Sequence, residues 1–190
     1  FWRFDNHQLV NIKDNEHDAH VRHNTDISTE DAIAFINRSH KSKQPFFLYL
    51  AYDAPHEPYI IDETTWYDDK DWDINTKRYA ALITHMDKAI GRVINELDKL
   101  GIRENTLVIF ASDNGAAKQA PLYEGGIRVP FIVNQPNKVP VQDLRNIIYF
   151  PDVMPTLAAV AGAQKHLPHN INGINILPLL YGKEMDTDNR

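Results

Sequence analysis

The stretch IFASDNGAAKQAPLYEGGIRVPFIV, residues 109–133, decides how the chain is read. It runs between two apolar segments, TLVIFAS (106–112) and VPFIV (129–133), whose continuous hydrophobic character suits strands covered on both faces. Between them stand an acid and an amide (Asp113, Asn114), a lysine (Lys118), a double glycine (Gly125, Gly126) and an arginine (Arg128). Charge and glycine between two core strands place this segment at the rim of a sheet, where open parallel sheets bind ligands.

Working outward, PFFLYLA (45–51) is another apolar run opened by proline and predicts a buried strand. DAPHEPY (53–59) follows it as a loop, because residues before proline are pushed out of the helical region. From about residue 75 to 100, Tyr79, Leu82, Ile83, Met86, Ile90, Val93, Ile94 and Leu97 recur at helical spacing, and Gly101 ends the run. Ser28 to Asp31 has the spacing of a capping box ahead of Ala32, Ile33, Phe35 and Ile36, which predicts a helix starting there. Pro151 opens a further helix that stops at Gly162. Residues 1–27 are polar and read as a loop or a short hairpin. Strand, helix, strand, strand, helix predicts an α/β fold with a largely parallel mixed sheet flanked by helices.

The chain has 190 residues, enough for one domain with a sizeable core. Its net charge of −6 argues against nucleic acid as the main partner. No apolar run approaches the ~20 residues of a membrane helix. The absence of cysteine excludes disulfides, thiolate metal sites and a cysteine nucleophile within these residues. The first residue is Phe1 rather than Met, and the expectation is a piece of a longer polypeptide.

Two segments would follow strands on the same edge of such a sheet: APHEP (54–58) and SDNG (112–115). Asp113 and Asn114 offer adjacent hard oxygens of the kind Ca²⁺ or Mg²⁺ prefers, although Asp, Asn and Gly also favour turns for local reasons. His56 sits between two prolines on a stiffened backbone, which suits a positioned proton donor and equally a surface loop. Gly125 and Gly126 permit positive φ and close backbone approach, in an anion cradle or in a plain turn. Glu124 and Arg128 are expected to pair with each other across that turn. His17, His20 and His23 show metal-like spacing within a polar segment that reads as solvated loop. His85 falls beside the apolar stripe of the long helix and reads as packing. Asn37-Arg38-Ser39 matches a glycosylation acceptor.

Taken together, FFLYLAYDAPHEPY, YAALITHMDKAIGRVINELDKLG, TLVIFASDNG, LYEGGIRVPFIV and DVMPTLAAVAG resemble the sulfatase family, in that family's own order, over about residues 26–183. The resemblance implies an alkaline-phosphatase-like fold and hydrolysis of a sulfate ester, by analogy one carried on a sugar or oligosaccharide. It implies that Asp113 and Asn114 ligate one divalent cation, usually calcium. It implies that His56 contacts the ester and helps protonate the leaving oxygen, and that Lys118 binds the sulfate. Family members are commonly secreted, periplasmic or lysosomal.

The chain departs from the family in three ways. The family's formylglycine nucleophile comes from a Cys/Ser-x-Pro-Ser-Arg signature, and Ser28, Ser39, Ser42 and Ser112 all have other neighbours. The pair of acidic metal ligands near the family's amino terminus has no match. Lys118 stands one residue further from the aromatic of the YEGG segment than the family's lysine does, after a shorter loop. Residues 1–190 therefore correspond to the carboxyl-terminal part of a single sulfatase-like catalytic domain. The nucleophile and the small domain that usually follows are expected outside them, and the segment alone is expected to be inactive. Two other readings stay open at this point: a phosphodiester or phosphonate hydrolase of the same superfamily, and a non-catalytic sulfatase-like segment.

Overall fold

Two side-chain caps set where the principal helices begin. In the computed structural model, which describes residues 2–5, 8–11, 22–115 and 122–187, the chain divides between two units, Phe1–Gly101 and Ile102–Arg190.

The first unit opens with an antiparallel hairpin, β1 (Trp2–Asp5) and β2 (Gln8–Asn11), with Trp2 opposite Asn11 and Asp5 opposite Gln8. Helix α1 (Asn24–Lys41) starts ahead of the predicted capping box: its cap is His23, whose Nδ1 accepts from the Thr25 amide at 3.2 Å. Ser28 lies inside the helix, where the amides that a box would satisfy already have helical partners. Helix α2 (Ile74–Lys99) is capped by Asp73, which accepts from the amides of Asn75 and Thr76 at 2.9 and 3.1 Å. These bonds hold the Asp73 carboxyl below the usual range, the Thr76 hydroxyl contributing most. The helix ends at Gly101, whose φ of 68° suits a residue without Cβ.

The two helices pack on each other, Ile27, Ala32 and Ile36 forming the buried side of α1 and Ala81, Leu82, Ala89 and Leu97 that of α2. Burial of each leucine or isoleucine stabilises by about 1.5–3 kcal/mol. Polar ties across the pair include Asn37 Nδ2 to Glu96 Oε1 at 2.9 Å.

Residues 46–51 do not form the predicted strand. Their exposure alternates as a strand's would, with Phe46, Leu48 and Leu50 half-buried and Phe47 and Tyr49 exposed by 70 % and 82 %. Among the described residues no strand pairs with them. An apolar run sets which side chains seek cover, but a ladder also needs a partner backbone.

In the second unit β3 (Val108–Ala111) pairs antiparallel with β4 (Phe131–Asn134), Ala111 opposite Phe131. β3 falls within its predicted run, and β4 overlaps the predicted VPFIV run (129–133) and ends one residue past it, at Asn134. The described pairs are all antiparallel, so the structure is α/β and the larger parallel sheet is not among the described residues. Helix α4 (Val153–Val160) follows a short 3₁₀ turn over Phe150–Asp152. Asp152 is fully buried, and its carboxylate accepts from the amides of Tyr149 and Ile174 at 3.1 and 2.9 Å. One turn on, buried Thr156 donates to the Asp152 carbonyl at 2.6 Å and accepts from the Ile176 amide at 3.0 Å. This network seats residues 172–176 against α4, and Ile176, Leu179 and Leu180 complete the core.

A Cβ at Gly173 would stand 1.9 Å from the Pro151 carbonyl oxygen, so Gly173→Ala must push backbone apart. The expected loss is about 1–3 kcal/mol, the range for overpacked sites. Gly91, inside α2 with nothing within 4 Å of such a Cβ, should behave oppositely. Gly91→Ala should gain about 0.5–1 kcal/mol from helix propensity. Urea midpoints of the two variants, moving in opposite directions, check both.

Candidate active site

The register of β3 and β4 brings the outgoing and incoming chain to the same end of the strand pair. Residues 112–115 leave β3 as a turn in which Ser112 Oγ donates to the Asn114 carbonyl at 2.9 Å. The YEGG segment makes a single helical turn before β4, α3 (Glu124–Ile127), with the Gly126 amide donating to Tyr123 O at 2.8 Å. The two turns lie back to back. The Gly115 amide donates to the Gly126 carbonyl at 2.9 Å, and Gly126 is buried.

Of the two uses expected of this double glycine, positive φ and close backbone approach, neither Gly125 nor Gly126 adopts the first. Close backbone approach is present, and the glycine it requires is Gly115. A Cβ at Gly115 would meet the Gly125 carbonyl oxygen at 2.1 Å and the Gly126 Cα at 3.0 Å.

Asp113 and Asn114 are exposed at the tip of the first turn. Asn114 Nδ2 donates to Gly115 O at 2.9 Å, so Oδ1 is the side-chain atom that could serve a cation. The Asp113 carboxylate and this oxygen are hard donors on neighbouring residues and fit a divalent cation as two of its ligands. Among the described residues no group of three or more His, Cys, Asp or Glu side chains could hold a metal ion. A cation held by these two residues would need its further ligands from elsewhere. Lys118 lies outside the described residues, as do His17 and His20. Glu124 and Arg128 pair as expected, Nη1 to Oε2 at 2.9 Å, and this carboxylate is the main reason the guanidinium pKa is raised.

His56 belongs to the first unit, on an exposed turn closed by its own amide donating to Asp53 O at 2.9 Å. Its Nδ1 lies 2.6 Å from the Glu57 carbonyl. A proton on Nδ1 makes that bond, so Nε2 is the nitrogen that can face a substrate. The Ala54–Pro55 and Glu57–Pro58 peptide bonds on either side are cis. One hydroxyl pair secures the base of this loop to α1, Tyr52 OH to Thr29 Oγ1 at 2.8 Å.

Two readings of individual residues change. Asn37 of the glycosylation pattern is half-buried, and its Nδ2 donates to Ile33 O and to Glu96 Oε1, both at 2.9 Å. That nitrogen is already engaged within the fold. His23 and His85 were not legible as partners, being far apart in sequence, yet their rings lie 4.9 Å apart, and His85 Nε2 lies 3.0 Å from Asp26 Oδ2. His85 thus hydrogen-bonds to Asp26 at the half-buried rim of the helix contact.

Gly115→Ala should open the contact between the two turns. Its expected signature is loss of exchange protection at the residue 115 amide, with a fall in global stability of about 1–3 kcal/mol. Hydrogen exchange read by NMR, alongside urea unfolding, measures both.

The family described as Sulfatase matches residues 3–163. An endo-4-O-sulfatase of Bacteroides thetaiotaomicron is 30 % identical over 177 residues, covering 76 % of this chain and 34 % of that protein. An N-acetylgalactosamine-6-sulfatase of Mus musculus is 31 % identical over 183 residues, covering 85 % of this chain and 34 % of that one. Among solved structures, that of Ps i-CgsB superposes with a TM-score of 0.78 at 31 % identity, covering 87 % of this chain and 40 % of that chain. The same protein has been solved in complex with k-i-k-neocarrahexaose. The chain thus spans about a third of the length of the curated relatives it matches. A match that takes in both turns and both helices leaves one assignment: the chain belongs to the sulfatase family.

Proposed function

We propose that these residues form the carboxyl-terminal part of a sulfatase catalytic domain, and that the protein carrying them hydrolyses a sulfate ester on a sugar or oligosaccharide. The observation that carries this reading is the back-to-back seating of the SDNG and YEGG turns at the end of β3 and β4. It turns two loops of an ordinary strand pair into one rigid rim with exposed oxygen donors. Relatives named for sulfated sugars, and a neighbour solved with a carrageenan-type hexaose, support the substrate class. In this reading β3 and β4 belong to a larger mixed sheet of the alkaline-phosphatase-like type. A secreted, periplasmic or lysosomal setting follows by family analogy, and no described helix is long and apolar enough to cross a membrane.

Asp113 and Asn114 would hold one divalent cation, calcium by family analogy, through a carboxylate and a carboxamide oxygen. A bound cation supplies charge stabilisation at the sulfuryl oxygens, and a formylglycine outside these residues would supply the nucleophile. Lys118 would add a positive charge to the sulfate. His56 would present Nε2 to the bridging oxygen and deliver a proton as the C–O–S linkage breaks on the sulfur side.

Asp113→Ala in the intact protein should remove bound metal and turnover together. Elemental analysis of the purified variant decides this, because full metal occupancy would falsify the ligand assignment.

If His56 protonates the leaving oxygen, the need for it depends on the leaving group. A sugar alkoxide is a poor leaving group, so His56→Ala should lose ~10²–10⁴-fold in kcat/KM on a sugar sulfate. Nitrophenolate is stable as an anion, and the loss on a nitrophenyl sulfate should be clearly smaller. Equal losses on the two esters would assign His56 to binding the sulfate group instead.

A further inference from the structure

The point where α1, α2 and the loop after residue 52 meet carries an imidazole that no step above uses. His23 caps α1 by accepting the Thr25 amide at Nδ1, at 3.2 Å, so that nitrogen must be unprotonated. Its ring lies 4.9 Å from that of His85 on α2. His85 reaches back to α1 at Asp26 Oδ2, 3.0 Å away, and Arg92 of α2 holds the other oxygen of Asp26 at 3.0 Å. Arg92 also approaches Glu30 at 4.0 Å, and Glu30 pairs with Arg22. From the loop side, the Asp53 carboxylate and a hydrogen bond with the Ile60 backbone face the His23 ring.

We infer that His23 is a proton-sensitive clasp, which when neutral caps α1 and lets α1, α2 and loop 53–60 meet, and when protonated releases that junction.

The chemistry of a second proton supports this directly. A proton on Nδ1 removes the acceptor, orphans the Thr25 amide, and places a positive charge at a helix amino terminus, where the dipole disfavours it. It also places a cation against His85, which Asp26 holds in position. Asp26 and Asp53 pull the other way. Burial outweighs them, followed by His85, and the His23 pKa lies below its ordinary 6.5. The sign follows. A base whose folded pKa is depressed takes up its proton more readily when unfolded, so stability rises with pH. His23's contribution is complete above pH 6.5 and is lost as pH falls from there through the folded value.

The clasp stands on the helix contacts alone; its consequence for turnover rests on the reading of His56 as proton donor, because loop 53–60 bears that residue. The test uses the intact protein. Imidazole signals of His23 should titrate with a midpoint below 6.5, and the exchange protection of the Thr25 amide should fall along the same curve. In His23→Asn the carboxamide oxygen can still cap the helix, so protection at residue 25 should stay high and stop depending on pH between about 7.5 and about 5.5. A His23 midpoint at or above 6.5, or a Thr25 amide indifferent to it, overturns the clasp. The wild-type titration decides even where the variant does not fold. A second arm compares wild type and His23→Asn for turnover of a sugar sulfate across the same pH span. If the clasp titrates as expected while the two activity profiles coincide, the link to His56 is overturned and the clasp survives.

Discussion

One backbone hydrogen bond, from the Gly115 amide to the Gly126 carbonyl, sets what the second unit presents at the end of its strand pair. An antiparallel pair brings the two connecting segments to one end but does not join them. Joining requires backbone to approach backbone, and the space beside Gly115 admits no Cβ. Once the bond forms, Ser112, Asn114 and Gly115 lie in a fixed turn whose own hydrogen bonds are satisfied. Asp113 and Asn114 then stand exposed on a seated frame rather than on a free loop. Precision of that kind matters to a ligand set, because donors that wander lose the advantage of being held in advance.

The core of the second unit also relies on paired polar groups, in a buried setting. Asp152 is fully buried and accepts two main-chain amides, and Thr156 relays the contact to Ile176. Such groups are tolerated because their polar atoms are paired, and their pairing fixes one register between helix and following chain. In the first unit the equivalent work falls on caps and on ties at the edge of the helix contact, while Ile36, Leu82 and Leu97 supply the burial. The surface ion pairs, such as Arg92 with Asp26, add less, since they are partly exposed and screened.

Much of this was legible in the sequence, and the limits follow from particular residues. The long helix was readable because its apolar residues keep a helical period over many turns, and its stop was readable because Gly101 offers positive φ. The runs holding β3 and β4 were readable from hydrophobicity, but their antiparallel pairing was not, since one strand's pattern does not name its neighbour. Residues 46–51 show the same limit more sharply: their continuous apolar run predicted a strand, but among the described residues no strand pairs with them. The start of α1 was misplaced because Ser28 has the better capping letters, while His23 caps with a nitrogen that sequence rules seldom count. The candidate ligands Asp113 and Asn114 were visible as residue types, whereas the need for glycine at position 115 was not. Sequence offered positive φ and close approach at Gly125 and Gly126; neither adopts positive φ, and the close approach leaves no room for a Cβ at Gly115.

The two kinds of polar residue in this chain divide along one physical line. Buried ones, Asp152 and Thr156 among them, are committed to main-chain partners within the fold. Exposed ones at element ends, Asp113 and Asn114, keep oxygens that the fold does not use. A site assembled from the second kind places little strain on stability, because its groups remain solvated until a ligand arrives. It depends instead on what seats its frame, and here that is a glycine contact through which no charged atom passes. If the proposed site is right, chemistry at this rim is most exposed to change at residues that would never touch substrate.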